Sequence, residues 1–459
     1  MLAHVPGTEQ GQGGEGRPPD GVELSRELTD KLVSFLAPLL KTLDQHLDVR
    51  LVRTFLRTIE AIVMFRHATY GLLLSELGGY ILSPAQAPAG TKRLSHLIHS
   101  PKWVHGLIED FLWQQAAARI AALEAMPSDV LAVWDESVWE KPESIKLEGL
   151  CAVRSSKAKR LTHIKPGYYN PPTGRPIFVP GMNWLGLLIL GYTGTPTLAA
   201  MRWWTTRGER ASDKRTQEAR LLRQCAQAWG RRVLHIWDRG FAGAPWLSLA
   251  IAYRVRFVLR WPKHYKLVDP SGQQRKAWEI TRGKRSWGQR QLWDGRRHCW
   301  RTIGVLAITV RHPDHPYPLS LVVSRPGPGQ TPWYLLTREP VISTDDAWQV
   351  ILAYARRWQI ELTWRYTKSD LAMQSPRLHT WEDRLKLLLM ASLAYAFLLL
   401  LLHPALDRLR RWLFRLACHR NGKRSQATLT PLYRLRSALS RLWLAYPPPS
   451  SRLLTLTPG

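Results

Sequence analysis

"RRVLHIWDRGFAGAPWLSLAIAYRVRFVLRW", Arg231–Trp261, decides the fold. Its opening apolar run reads as a buried strand that ends in Asp238, with Arg239-Gly240 as the break behind it. "APWLSLAIAYR" then reads as a helix and "VRFVLRW" as a second strand. Working backwards, "SDKRTQEARLLRQCAQAW" is a helix with Ser212 as its N-cap. "RPIFVPGMNWLGLLILGY" and "TLAAMRWWTT" are strands. "DVLAVWDESVW" alternates apolar and β-branched residues and reads as a strand ending in acid at Asp135. Several strands, helix, strand, helix, strand is the order of an α/β layer around a mixed sheet.

The texture changes on both sides of this core. Residues 262–343 lose the helical pattern, and "SWGQRQLWDGRRHCWRTIGVLAITVRH", "PLSLVVSR" and "TPWYLLTREP" read as short strands, so a β-rich insertion is expected there. Residues 22–127 are rich in helix formers. "LTDKLVSFLAPLLKTL" and "LVRTFLRTIEAIVMF" have helical apolar spacing, and two more helices are broken near Ser100-Pro101. With Lys92, Arg93, Lys102 and several histidines, this helical region is a candidate for entering a DNA groove; a packing domain with solvated charges is the plainer alternative. Residues 1–21 are Gly/Pro/Gln-rich, without the features of a signal peptide, and are expected to be disordered. Residues 403–459 are basic and partly helical.

The 459-residue chain carries 65 Lys plus Arg against 35 Asp plus Glu, a formal charge of +30. That balance points to a polyanionic partner, nucleic acid first and an anionic membrane surface second. The one long apolar run, Leu387 to Leu402, is short for a membrane span and reads as a buried core helix, so no membrane is expected. The 22 tryptophans supply many stacking surfaces, a large share of them core. Cys151, Cys225, Cys299 and Cys418 are scattered, which argues against a disulfide framework or a zinc knuckle and fits a reducing cytoplasm.

"YARRWQIELTWRYTK", Tyr354–Lys368, sets one carboxylate amid cations and aromatics. At 100° per residue, Tyr354, Arg357, Glu361, Arg365 and Lys368 fall within an arc of about 80°. Ile351, Ala355, Trp358, Leu362 and Tyr366 form the adjacent packing stripe, so one amphipathic helix is expected. A ladder of surface ion pairs is the bland account of its polar face.

Asp135, Asp238 and Glu361 then form a series: strand-acid, strand-acid, helix-acid. Carboxylates gathered in one place repel one another. Hard divalent cations relieve that repulsion and keep sites for water and phosphate oxygens. Two such ions about 4 Å apart activate a nucleophile and stabilise a leaving oxygen at a phosphodiester. Each acid also has a local explanation. Asp135 can cap its strand, with Glu136 and Glu140 as rivals; Asp238 can pair with Arg239; Glu361 can be a surface charge.

Tyr354, Arg357, Glu361 and Lys368 match Y-x2-R-x3-E-x6-K at every spacing, and in this the chain resembles bacterial insertion-sequence transposases with a DDE triad. Asp238 in "WDRGF" resembles the family's second aspartate. Asp135 in "WDESVWEKP" resembles the first, where D-[DS]-[ST] is the commoner string and Glu136 a departure. The resemblance covers about Val130 to Leu402. It implies an RNase H-like core in two parts, 128–261 and 344–402, split by the β insertion. It implies Asp135, Asp238 and Glu361 as catalytic metal ligands for Mg²⁺, with Mn²⁺ as a substitute. Tyr354, Arg357 and Lys368 would grip a phosphate, with Arg365 ranked below them. Trp333 in "TPWYLLTREPV" resembles a tryptophan that stacks on a flipped base. The implied activity is cutting of element ends and joining to target DNA, by a dimer on double-stranded DNA, in the cytoplasm at the bacterial nucleoid. An RNase H-like nuclease without strand transfer and an inactive DNA-binding relative are the alternatives.

Overall fold

The computed structural model describes residues 19–448 apart from 66, 68–69, 145, 156–176, 295–298, 328–329 and 419–431. Most of the expected disordered N-terminus and part of the basic C-terminal tract therefore lie outside the described residues. The described chain is an α/β structure around one mixed sheet of twelve strands.

The sheet grows from β1 (Val130–Glu140). It pairs antiparallel with β3 (Phe178–Leu190) over Leu131–Glu140, and parallel with β5 (Val233–Trp237) only over Val130–Val133. β3 carries β2 (Cys151–Arg154) and β4 (Thr197–Trp204) as further antiparallel partners. β5 pairs parallel with β6 (Arg256–Arg260). Parallel neighbours need crossovers. α6 (Lys214–Ala228) precedes β5, and α7 (Ala244–Ala252) joins β5 to β6. Every residue of β5 is buried, as a parallel strand covered on both faces should be. The cap of α6 is Asp213 rather than the expected Ser212. The Asp213 carboxylate accepts the Thr216 N–H at 3.0 Å, while the Ser212 N–H is taken by the Thr205 carbonyl.

The strand-rich stretch that follows does not build a second sheet. β7 (Lys266–Val268) and β8 (Gln274–Lys276) are short and are followed by α8 (Ala277–Thr281). β9 (Gly288–Asp294), β10 (Cys299–His312), β11 (His315–Arg325) and β12 (Trp333–Thr337) come next. β12 pairs antiparallel with β6, so the added strands prolong the central sheet from its β6 edge.

Of the N-terminal helices, α2 (Val49–Met64), α4 (Ala87–His99) and α5 (Gly106–Glu124) pack on α11 (Trp381–Leu400). α1 (Gly21–Asp44) packs on α2 and α5 and brings Phe35 to 6.2 Å from Phe397 of α11, and α3 (Leu74–Ile81) packs on α2 and α4. α11 is buried along nearly its whole length. Polar ties add to this packing. The buried Lys386 ammonium of α11 donates to the Ile98 and Ser100 carbonyls at 3.0 and 2.9 Å, and elsewhere the Ser25 hydroxyl of α1 donates to the Tyr446 carbonyl, just after the C-terminal helix, at 2.6 Å. The N-terminal helices, α11, the C-terminal helix Leu432–Ala445 and one face of the sheet thus share a continuous apolar core. Among the described residues no single helix is long and apolar enough to cross a membrane.

The expected single helix through Tyr354–Lys368 is two helices. α9 (Thr344–Ala355) stops at Arg356, and α10 (Trp358–Ser369) starts after Arg357. The Arg356 guanidinium donates to the Gly191 and Gly194 carbonyls at 3.1 and 2.5 Å, tying the break to the loop after β3. The break also rotates the packing stripe. Trp358 is 44% exposed and Leu362 half-buried, while Ile360, Thr363, Trp364 and Thr367 join the expected Ile351 and Tyr366 as buried residues.

Candidate active site

Register brings the two aspartates together. Val133 of β1 sits opposite Ile236 of β5 in the parallel ladder. Asp135 and Asp238 each lie two residues further on, so both project from the same face, where the two backbones cease to pair. Asp135 is therefore at the end of the parallel pairing, though β1 itself continues to Glu140. The Asp135 carboxylate accepts the Glu136 N–H at 2.9 Å and the Trp364 indole N–H at 3.2 Å. Asp238 accepts the Gly240 N–H at 2.6 Å, which shapes the turn after β5. Burial, and then the charge of Asp238, push the Asp135 carboxyl up to about 7; Arg357 opposes the shift and Glu361 adds to it.

Glu361 arrives on the first turn of α10, and α10 is docked by a close approach. Asp135 pairs with Gly186 across β1 and β3. A Cβ on Gly186 would lie 2.4 Å from the Trp364 ring, so glycine is what lets that indole lie on the sheet and reach Asp135. Glu361 itself is ion-paired with Arg357. Burial works against the Arg357 charge, but Tyr354, Glu361 and Asp135 more than offset it and its pKa rises.

The remaining expected residues separate into two groups. Lys368 donates to the Ser137 hydroxyl at 2.6 Å, two residues beyond Asp135 on β1. Tyr354 is buried, with Arg357 over its ring at 5.9 Å and the half-buried Trp333 edge-on at 5.1 Å. These side chains border the acids. Arg365 stands apart, exposed on α10 and bonded to none of the three acids.

The rival acids have other partners. Glu140 is buried and accepts the Ser155 hydroxyl at 2.8 Å. Glu136 is ion-paired with Lys214, whose ammonium also lies 3.6 Å from Glu218. Glu218 is fully buried and takes Arg215 at 2.8 Å. Burial and then the Glu136 charge push the Glu218 carboxyl up to about 7. Sequence reasoning missed this group. Its only signal was the Lys-Arg pair after the N-cap of the helix that leads to the Asp238 strand. Trp364 and Gly186 were missed as well, since nothing in the local pattern pairs them.

The donor set is all oxygen, which suits Mg²⁺ or Mn²⁺. Asp135 and Asp238 fit such an ion, because its charge would relieve the repulsion between them. Glu361 would have to exchange Arg357 to join them. Among the described residues no three acidic, histidine or cysteine side chains are grouped closely enough to hold a metal together.

Residues 196–397 match the family model of the transposase DDE domain. The match runs from β4 into α11 and includes Asp238, Trp333 and the whole Tyr354–Lys368 string; Asp135 precedes it. No curated protein matches the chain. Among solved structures, the chain is similar to the piggyBac transposase of a cryo-EM synaptic complex with hairpin DNA. The TM-score is 0.40 and the identity 12%, over 96% of this chain and 85% of that one.

Proposed function

We propose that this chain is a DNA transposase of the bacterial insertion-sequence type, which cuts element ends and joins them to target DNA. The observation that carries the reading is the convergence at one edge of the parallel ladder. Asp135 and Asp238 sit in equal register, and the Trp364 indole on Asp135 docks the helix that bears Glu361. The match to a transposase DDE domain supports it. The strand order β4-β3-β1-β5-β6, antiparallel then parallel, supports an RNase H-like core.

Asp135 and Asp238 would hold the divalent ions, with Glu361 joining once Arg357 is drawn away. The ions would supply an activated water and charge stabilisation at the leaving oxygen. Arg357 suits a bidentate phosphate contact and Lys368 a point contact, with Tyr354 beside them. Trp333, at the start of β12 against Tyr354, would take a base displaced from the duplex end. The exposed Lys92, Arg93 and Lys102 of the N-terminal helices would contribute to holding double-stranded DNA. Synapsis of two ends would use a dimer. A nuclease without strand transfer would share the acids but leaves the Arg357–Lys368 face without a purpose.

Carboxylates serve chemistry while cations hold phosphate, and that separation gives the test. Asp135→Asn, Asp238→Asn and Glu361→Gln should each abolish Mg²⁺-dependent end cleavage and leave gel-shift affinity nearly unchanged. Near-normal cleavage by any one variant removes that residue from the site. Chelation by EDTA should stop the reaction of the parent protein.

A further inference from the structure

One face of the β9–β10 hairpin presents tryptophans to solvent. Strand alternation puts Trp287, Gln289, Gln291 and Trp293 on one side, and the Trp287 N–H extends the ladder by donating to the Val305 carbonyl at 2.7 Å. Cross-strand register sets Trp300 opposite Trp293 and Thr302 opposite Gln291, on that same side. The opposite side is core, with Leu292, Ile303 and Val305 buried. On the outer side Trp287 is 45% and Trp300 58% exposed, and the Trp293 and Trp300 rings lie 5.6 Å apart. Most tryptophans of this chain that are placed in strands are buried, so an exposed row of them calls for an occupant.

The surroundings indicate its chemistry. Arg282, Lys284 and Arg285 are exposed in the loop that leads into the hairpin. That loop is held in shape by Arg325, which donates to the Thr281 and Lys284 carbonyls at 2.7 and 2.5 Å. Arg290 pairs with Asp345 at 2.6 Å and so ties the hairpin to the start of α9, the helix that leads to Arg357. α9 has twelve residues, a span of about 18 Å.

We propose that this face is a platform for an unpaired stretch of DNA strand, with bases stacked on Trp287 and Trp300 and phosphates held by Arg282, Lys284 and Arg285. The proposal rests on the transposase reading and adds a second contact surface to it. A duplex hides its base faces, so cations alone would serve it and exposed indoles would add nothing. An unpaired strand offers both base faces and phosphates. Gln289, Gln291 and Thr302 between the rings can hydrogen-bond base edges. A second copy of the chain is disfavoured as the occupant, because it would bring another +30 against this basic surface.

The experiment uses the full-length protein and a fluorescein-labelled mixed-sequence strand, alone and annealed to its complement, with anisotropy at fixed salt. Trp287→Ala and Trp300→Ala should each weaken single-strand binding by about 5- to 150-fold, the range expected for loss of one stacked base. Duplex binding and the melting temperature should stay as in the parent, and Trp300→Phe should keep most of the single-strand affinity. The proposal is overturned if Trp300→Ala leaves single-strand affinity unchanged, or if it weakens both DNA forms equally. It is also overturned if sedimentation shows that the variant only loses self-association. A parent protein that binds neither DNA form would overturn the transposase reading itself, whereas normal duplex binding with indifferent tryptophans overturns the platform alone.

Discussion

Lys368 and His235 show what single residues near the acids are asked to do. Lys368 reaches Ser137, two residues beyond Asp135 on β1, and on the transposase reading it would meet a phosphate of the bound strand. Lys368→Ala should lower the slope of log affinity against log salt by about one unit, with folding intact; an unchanged slope would place the ammonium away from the phosphate. His235 is fully buried in β5. Its Nδ1 accepts the Trp134 indole N–H at 2.9 Å, between the strands that carry the two aspartates. Burial holds its pKa down to about 3. The unfolded chain takes up that proton near 6.5, the folded one far lower, so this residue's contribution is complete above about 6.5 and is lost as pH falls toward 3. Within that window the loss approaches about 1.4 kcal/mol per pH unit. His235→Asn keeps an acceptor near the Nδ1 position without the titration. Its urea midpoint should therefore fall less steeply between pH 6.5 and 5 than the parent's, and parallel slopes would show that His235 is protonated in the fold. The residue types of this site were legible in the sequence because acids at strand ends and cations at fixed helical gaps are local patterns. Trp364 on Asp135 and Lys214 on Glu136 were not, because each joins elements far apart in the chain.

At the scale of elements, strand and helix order could be read directly, since apolar period and turn residues are written locally. Register and breaks could not. The arc that gathers Tyr354 and Lys368 on one ideal helix ignores Arg356, which reaches the Gly191 and Gly194 carbonyls and interrupts the helix there. Adjacent Ser212 and Asp213 are both good caps, and only the strand-side bond of the Ser212 N–H decides between them. Gly186 is the position on which the docking of α10 depends. Added volume there meets the Trp364 ring, with Ile360 close behind. Gly186→Ala should cost about 1–3 kcal/mol of stability through overpacking. End cleavage should fall further than DNA affinity, because the strain displaces the helix that carries Glu361. Equal loss of cleavage and binding would mean that the helix moves as a rigid whole with its phosphate contacts.

At the scale of the whole molecule, the sequence suggested a chain of modules; one apolar core runs from the N-terminal helices through α11 to one face of the sheet, and a second core lies on the other face. Composition shifts at 127, 262 and 344 mark changes of secondary structure. They do not show that β12 joins the β6 edge, or that α2, α4 and α5 pack on α11. For the same reason the apolar run 387–402 looks alike in a core and in a membrane until its neighbours are known. This bears on how a DNA-holding role for the N-terminal helices is tested. Removing residues 22–127 would strip the cover from α11 and the partners from Lys386, so loss of binding would report only unfolding. Charge reversal on α4 avoids that problem. Lys92 and Arg93 are exposed on α4 and Lys102 just beyond it, while the Ile98 and Ser100 carbonyls anchor the same segment to the core. Lys92→Glu, Arg93→Glu and Lys102→Glu together should therefore leave the melting temperature within a degree or two, since exposed charges contribute little to stability. If all three touch phosphates, the salt slope should drop by up to about 2.7 units, and affinity for element ends should fall steeply at low salt. Unaltered affinity in the triple variant would assign this face to solvent and leave DNA holding to the sheet side of the molecule.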